Sequence, residues 1–441
     1  MPQMNWLDRL NGNGVWPVGH EIGSTRLFDA NGKRRRVRFF WGKQVCLGAL
    51  AGLSLGSPAW SMDEAAMAPP VVSLHGFGTL GMTRTNEDSA QFVRDLTQPN
   101  GADTRWTGTV DSVLGLQVNL LFSPSTEGVA QVVSRYHANS SYRPELSWAF
   151  LRHDFSPDFS LRAGRLGTEF YMLGDSRLVG YSNISVRPPT DFYGSLVLYY
   201  IDGLDINATL PVASGLLKGK LYAGKAAEKE PYAPGILWNL QGSDLAGGHL
   251  DYSSGSWQFR ASYAQLRFDQ EAPTDTLLQS LGDPLHGQPY LSRVPGMAMA
   301  QQGASFSSLG MVYDQGPVNV QLMLNRIKYD SLAYLDSKAA YALVAYRMGA
   351  VTPYAGVSRS VTDDLPSGLD PVTHMLVAHS ASDQTTYTVG GRWDLQKNLA
   401  LKAQLDWIRG QPSAVFLLKG TESGGWGGHL SVFSLALDFV F

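Results

Sequence analysis

The chain has 441 residues, enough for two or three ordinary soluble domains, yet only 17% are charged, 11% are aromatic and 47 are glycine. Hydrophobic residues make up 44% and mean hydropathy is -0.12. Strands greasy on one face and polar on the other average to such a value, whereas a bundle of membrane helices needs roughly 20 largely uncharged apolar residues per span. The formal net charge is -3, and the chain beyond residue 61 holds 27 basic and 35 acidic residues, net -8. Neither is a nucleic-acid-binding balance.

Residues 1–32 show no periodicity and are rich in Gly and Asn. They are expected to be an unstructured extension, with translation starting downstream, for example near Val37. Lys33, Arg34, Arg35, Arg36, Arg38 and Lys43 then form a positive block, followed by the apolar run 45–55 and by Ala59-Trp60-Ser61. This is the layout of a secretory signal peptide over 33–61; Ala66-Met67-Ala68 is a second possible cleavage site. The only cysteine, Cys46, falls in the removed segment ahead of the apolar run. A lipid on that thiol would be misplaced, and the exported chain carries no disulfide.

From residue 71 the sequence breaks into apolar/polar alternating runs, and period two puts alternate side chains on opposite faces of a sheet. In chain order the runs are 71–84, 111–122, 129–137, 145–155, 159–165, 196–210, 216–225, 244–252, 256–268, 304–314, 318–329, 338–348, 351–361, 382–395, 399–410 and 429–441. Seven short turns alternate with eight longer connections, the longest at 269–303. The expected fold is therefore all-β: a sixteen-stranded antiparallel transmembrane barrel over 62–441, with short periplasmic turns and long extracellular loops. Closure removes the edges of the sheet and pairs every backbone group within lipid.

Face assignment supports a barrel over a sandwich, which would alternate in the same way. In the last run Phe433, Leu435, Leu437, Phe439 and Phe441 share one face, while Ser434 and Asp438 lie on the other. The inward sets include Arg162, Asp205, Arg260, Arg392 and Lys402, which a dry core would not accept unpaired. Trp148, Tyr199, Tyr200, Tyr313, Tyr341 and Trp407 are expected to serve the aromatic girdles at the membrane interfaces.

The beginning of the first run, His75-Gly76-Phe77-Gly78-Thr79-Leu80-Gly81, the terminal Phe441 with Phe439 and Leu437, and the stretch 162–203 (RAGRLG, FYMLGDSRLVGYSNISVRPP, DFYGS, DG) together carry a likeness. The whole exported chain resembles the sixteen-stranded porins of Gram-negative bacteria, and specifically a porin-like subfamily with a distinctive loop after its fifth strand. The resemblance implies an outer-membrane location, a homotrimer, and a third loop, 167–191, that folds into the barrel and narrows it. It also implies that Leu437, Phe439 and Phe441 are the signal read by the outer-membrane assembly machinery. The loop lacks a long acidic run: Glu169, Asp175 and Asp191 stand against Arg177 and Arg187.

The pore-lining or constriction residues expected are Arg135, Arg162, Arg165, Glu169, Asp175, Arg177, Arg187, Arg260 and Lys402. A line of basic groups facing acidic loop residues would set a transverse field selecting solutes by charge and size; alternatively the arginines pair with carboxylates and hold the loop in place. Arg187, Pro188 and Pro189 form a stiff extended exit from the loop. Scattered histidines, with no metal spacing, nucleophile elbow or phosphate-cradling glycine motif, offer no catalytic or metal site. The expected function is passive diffusion of ions and small hydrophilic solutes through the outer membrane, without a cofactor, an enzymatic step or a nucleic-acid partner. An adhesive or structural barrel, and more remotely a barrel hydrolase, are the alternatives.

Overall fold

The computed structural model describes residues 71–195, 198–282, 288–411, 418–419 and 426–441. The expected extension at 1–32 and signal peptide at 33–61 lie outside the described residues.

Sixteen strands close into one antiparallel barrel. They are β1 (Val71–Thr85), β2 (Val113–Ser123), β3 (Thr126–Arg135), β4 (Glu145–Ser156), β5 (Phe159–Gly167), β6 (Tyr200–Val212), β7 (Gly215–Ala226), β8 (Asp244–Ser254), β9 (Trp257–Arg267), β10 (Gly303–Gln315), β11 (Val318–Tyr329), β12 (Ser337–Tyr346), β13 (Val351–Thr362), β14 (Asp383–Gln396), β15 (Leu399–Gly410) and β16 (His429–Val440). Each pairs with its neighbours in sequence, and β1 closes on β16 from Phe77↔Val440 to Thr85↔Val432. Two- to four-residue turns at one end alternate with long connections at the other, the asymmetry of an outer-membrane barrel. No helix among the described residues is long and apolar enough to cross a membrane.

The alternation sorts the side chains as period two requires. In β16 Phe433, Leu435, Leu437 and Phe439 are outward, and Leu430, Val432, Ser434, Ala436 and Asp438 are buried inward. In β15 Leu401, Ala403 and Trp407 are exposed outward while Lys402, Gln404 and Asp406 are buried. The girdle assignment needs correction. Tyr313 and Trp407 do face outward, but Tyr341 is only 3% exposed and packs in the interior cluster, Trp148 packs against an inner cluster with Phe77, and Tyr199 is held between Arg135 and Arg177. Near a strand end an aromatic residue can serve the lipid interface or a loop packed inside the cylinder, and composition does not separate the two.

The seam between the first and last strands is built on glycine. A Cβ at Gly78 would stand 2.3 Å from the Phe439 ring, and one at Gly76 equally close to the Phe441 ring. These two rings thus lie flat over bare backbone on β1. Gly76 and Phe441 also exchange both backbone hydrogen bonds, 2.9 and 3.0 Å. Where β5, β6 and β7 meet, Gly164, Gly203 and Gly224 are register partners. A Cβ at Gly203 would reach within 2.1 Å of the Ala223 carbonyl oxygen, so this corner bends tightly only because the row is bare.

Candidate functional site

Residues 168–195 leave β5 and enter the barrel, and residues 198–199 lead into β6. Their polar and apolar contacts seat them against the inner wall at three places.

At the first seat, the side chain of Arg187 is 1% exposed. Its Nε and Nη2 donate to Asp111 at 2.8 and 2.6 Å, and its Nη1 donates to Asp406 of β15 at 3.1 Å. It also reaches Ser434 of β16 and, at 3.3 Å, Thr83 of β1. One guanidinium with five donors in a fixed fork suits such a multiple ligation. Burial alone would raise the Asp111 carboxyl, but Arg187 and Arg94 outweigh it and hold it below its ordinary value. The preceding Val186 amide donates to Gln404 at 3.0 Å.

The second seat is Lys402 of β15, with no exposed surface. Its Nζ pairs with Asp438 at 2.9 Å and donates to the carbonyls of Gly180, Asn183 and Ser185 at 2.7, 2.6 and 3.1 Å. One ammonium therefore closes a ring of loop backbone onto β15 and β16. Arg392 of β14 donates beside it to the Tyr181 and Asn183 carbonyls. Gly180 is bare because a Cβ there would meet Asp438 at 2.1 Å.

The third seat is aromatic. Phe170 stacks on Phe306 with centroids 4.8 Å apart, and Phe192 meets Tyr341 at 5.1 Å. Asn325 donates to the Phe192 carbonyl at 3.3 Å. Ser358 and Gln384 donate to the Asp191 carboxylate at 2.7 and 2.6 Å; burial without a cation nevertheless raises that carboxyl. The loop thus covers β9 to β16 and part of β1.

Toward β5–β9 the loop turns a charged face to the wall. Glu169 contacts Lys220 directly and stands 3.7 Å from each of Arg162, Arg260 and His249. Burial raises the Glu169 carboxyl, but these neighbours prevail and hold it well below the carboxylate range. The wall cations have partners of their own, Asp205 for Arg162 and Asp251 for Arg260 at 2.5 Å. Asp175 is different: it is exposed and makes no ion pair, yet lies within electrostatic range of Arg162 and Arg260. It is the exposed carboxylate of the inserted loop that confronts the basic wall.

At the loop-side end Tyr199 sits under two guanidiniums, with Arg177 3.6 Å and Arg135 4.0 Å from its ring centre, a desolvated cation–π arrangement. Its hydroxyl donates to Asp95. Burial would raise the Asp95 carboxyl, but Arg135, Thr97, Tyr199 and Arg177 bring it below its ordinary value. The Tyr199 amide donates to buried Glu228 at 2.7 Å. Burial pushes the Glu228 carboxyl from 4.5 up to about 8, despite that bond and the two arginines. Folding therefore favours the protonated acid: its contribution is complete below pH 4.5 and is lost as pH rises through about 8. Glu228→Gln, which keeps the acceptor, is expected to flatten the fall in thermal stability between pH 5 and 8; an unchanged pH profile in a melting series would refute the assignment.

Of the nine residues expected to line the pore, Arg162, Glu169 and Arg260 come together, with Asp175 facing them, and Arg135 and Arg177 meet at Tyr199. Arg187 and Lys402 lie sealed between loop and wall, with no surface to offer a solute. Arg165 is on the outer face, where it pairs with Asp202 at 2.7 Å. Three positions separate it from inward Arg162 in a strand of period two, so the two point oppositely. Sequence reasoning missed Lys220, His249 and Asp111. Lys220 was legible, since it alternates with outward Gly219 and Leu221; Asp111 comes from a long connection, where no periodicity marks a partner.

Residues 61–412 match the profile of the Gram-negative porin family. No curated protein sequence matches the chain. Among solved structures, the anion-selective porin of Comamonas acidovorans is 13% identical, with 84% of this chain and 100% of that one covered and a TM-score of 0.51. OmpF of Salmonella typhi, in complex with daunomycin, is 11% identical, covering 84% and 97%, with a TM-score of 0.52. The outer-membrane channel DcaP of Acinetobacter baumannii is 12% identical, covering 85% and 98%, with a TM-score of 0.51. At such identities these likenesses speak for the barrel fold, while the profile covers most of the chain, and so the protein belongs to the Gram-negative porin family and resides in the outer membrane.

Proposed function

We propose that the protein is a passive channel for ions and small hydrophilic solutes, with a conduction path that runs between the inserted loop and the β5–β9 wall and no catalytic step. The observation that carries this reading is Asp175, exposed on the loop within electrostatic range of Arg162 and Arg260, while Glu169 and Arg187 are ion-paired and Asp191 and Arg177 are buried. Glu169, Arg162 and Arg260 flank the path as a nearly compensated set, and Arg135 and Arg177 shape the loop-side entrance. Arg187 and Lys402 hold the loop. The adhesive and hydrolytic alternatives have no comparable arrangement in their favour.

The chain is read as a homotrimer. The outer surface of β2 to β4 supports this: Leu114, Leu116, Val132 and Leu146 stay apolar toward the loop-side rim, with no outward Lys, Arg, Asp or Glu from residue 114 to 134. Segment 33–61 is read as the cleaved export signal, consistent with a family match that begins at residue 61. Leu437, Phe439 and Phe441 are read as the assembly signal.

The test is single-channel recording in planar bilayers with a salt gradient. A unit charge about 8 Å from the path changes an ion's energy by roughly 0.5 kcal/mol in water. Asp175→Lys, a change of two charges that acts oppositely on cation and anion, is therefore expected to move the cation-to-anion permeability ratio toward anions by about thirtyfold before screening and about fivefold at a Debye length of about 10 Å. An unchanged reversal potential would remove Asp175 from the path; wild-type protein without conductance would end the channel reading.

A further inference from the structure

Among the described residues, Ser140, Leu173, Ala213 and Gln301 hold a positive φ without being glycine. Ser140, Ala213 and Gln301 are exposed, in outer loops or a periplasmic turn, whereas Leu173 is partly buried inside the barrel, just ahead of Gly174 and Asp175. Its φ of 63° brings Cβ toward the following carbonyl oxygen, an angle that glycine and asparagine accept and a bulky side chain resists. The Gly174 amide donates to the Tyr171 carbonyl at 3.1 Å, which makes Leu173 the third residue of a tight turn, a position where glycine would fit. A glycine is next in the chain, yet Gly174 is not itself left-handed. It is bare for space, since a Cβ there would stand 3.0 Å from the Tyr171 carbonyl oxygen. Moving the left-handed angle one residue on, to Gly174, would relieve the strain and turn the chain that follows, Asp175 first.

The chain is pinned on both sides of this turn. The Phe170 carbonyl accepts from Ser262 and, at 3.3 Å, from Ser308, and the Tyr171 carbonyl accepts from Arg260 at 3.4 Å. The Met172 carbonyl accepts from the Tyr193 hydroxyl at 2.5 Å. Tyr171 itself lies against Phe192 and Tyr193, with ring centroids 4.9 and 6.1 Å away. Beyond the turn, Arg177 is fixed under Tyr199 and donates to the Leu198 carbonyl at 2.9 Å. The Leu173 side chain packs on the main interior cluster. That apolar contact, which glycine could not make, offsets an angle that leucine would otherwise leave.

Resting on the reading of Asp175 as the exposed carboxylate of the path, we infer that Leu173 is a positioning residue for ion selectivity. Its left-handed backbone, clamped between the aromatic seat and Arg177, aims Asp175 at the basic wall, and the leucine acts on the ion only through that carboxylate. A strained angle persists where the surroundings over-determine it. Here the surroundings are the anchored carbonyls of 170–172 on one side and the Arg177–Tyr199 stack on the other, and the exposed charge is what they hold in place.

The test is the reversal potential of the full exported chain in planar bilayers under a salt gradient. Asp175→Asn sets the scale: removing one charge is expected to shift the cation-to-anion permeability ratio about twofold toward anions after screening. Leu173→Val, whose branched Cβ resists the left-handed angle, and Leu173→Ala, which loses the packing that holds it, should each reproduce most of that shift with Asp175 intact. Leu173→Asn, which accepts the angle, is expected to keep the wild-type ratio. In the double variant Leu173→Val with Asp175→Asn the effects should not add, because a carboxylate already turned away has nothing more to lose. Residue 173 lies outside the barrel strands, so the folded band on unheated gels should persist throughout. Wild-type ratios in both Leu173→Val and Leu173→Ala, with Asp175→Asn shifted, overturn the positioning role and leave the channel reading standing. An additive double variant, or a Leu173→Asn shift equal to that of Leu173→Val, overturns it as well. If Asp175→Asn itself shifts nothing, Asp175 is not in the path and both readings fall together.

Discussion

Arg187→Ala is expected to release the inserted loop and widen the channel. The substitution removes the one cation shared by Asp111 and Asp406 and leaves both carboxylates buried without it. Removing one partner of a buried pair costs about 3–5 kcal/mol, because the orphaned charge stays desolvated. The barrel itself loses no strand pairing, so its wall is expected to survive. The loop instead loosens at its 185–187 anchor, where the Val186 amide bond to Gln404 and the Lys402 bond to the Ser185 carbonyl remain. Single-channel conductance should rise and become noisy, while the folded band persists on unheated gels. Conductance and noise unchanged from wild type would show that the loop is held adequately by its other seats. Arg187→Lys should rescue only in part, since an ammonium cannot reproduce the forked ligation of two carboxylates.

Lys402→Met is expected to be the second large lesion, of a different kind. Methionine keeps most of the buried volume but leaves Asp438 without its cation, with only Thr79 donating to it at 2.5 Å, and leaves the Gly180, Asn183 and Ser185 carbonyls short of a donor. The cost is again about 3–5 kcal/mol, but here it falls on the β15–β16 wall next to the seam. We expect a lower temperature for the heat-induced mobility shift and reduced yield of folded protein. Lys402→Met combined with Asp438→Asn removes charge from both partners and should recover much of the loss; a double variant as unstable as the single one would show that the carbonyl bonds, not the ion pair, carry the stability.

These two lesions mark where the sequence was legible and where it was not. The barrel could be read because period two is a local property: Leu401, Ala403 and Trp407 announce their face without knowledge of any other strand. The inward phase of Arg162, Arg260 and Lys402 followed from the same rule. What the rule cannot say is whether an inward cation meets water or a folded-in loop. Lys402 and Arg260 look alike in sequence, yet the first is sealed under three loop carbonyls and the second borders the charged face near Asp175. Arg187 was placed in the right loop, but its partners Asp111, Asp406 and Ser434 come from three separate regions of the chain. Their meeting depends on the path of a segment that has no periodicity at all. Tyr341 and Trp148 illustrate the same limit, since an aromatic side chain offers no sign of whether lipid or loop will cover it.

The glycines at the seam have a consequence for the order of events. Phe439 and Phe441 have nowhere to lie until β1 presents Gly78 and Gly76, and those glycines stay uncovered until β16 is in place. The final contact of the cylinder is thus made between its two ends, by rings on one and bare backbone on the other. The wall closes only when β16 is in place, so a copy lacking β16 remains an open sheet with an unpaired edge.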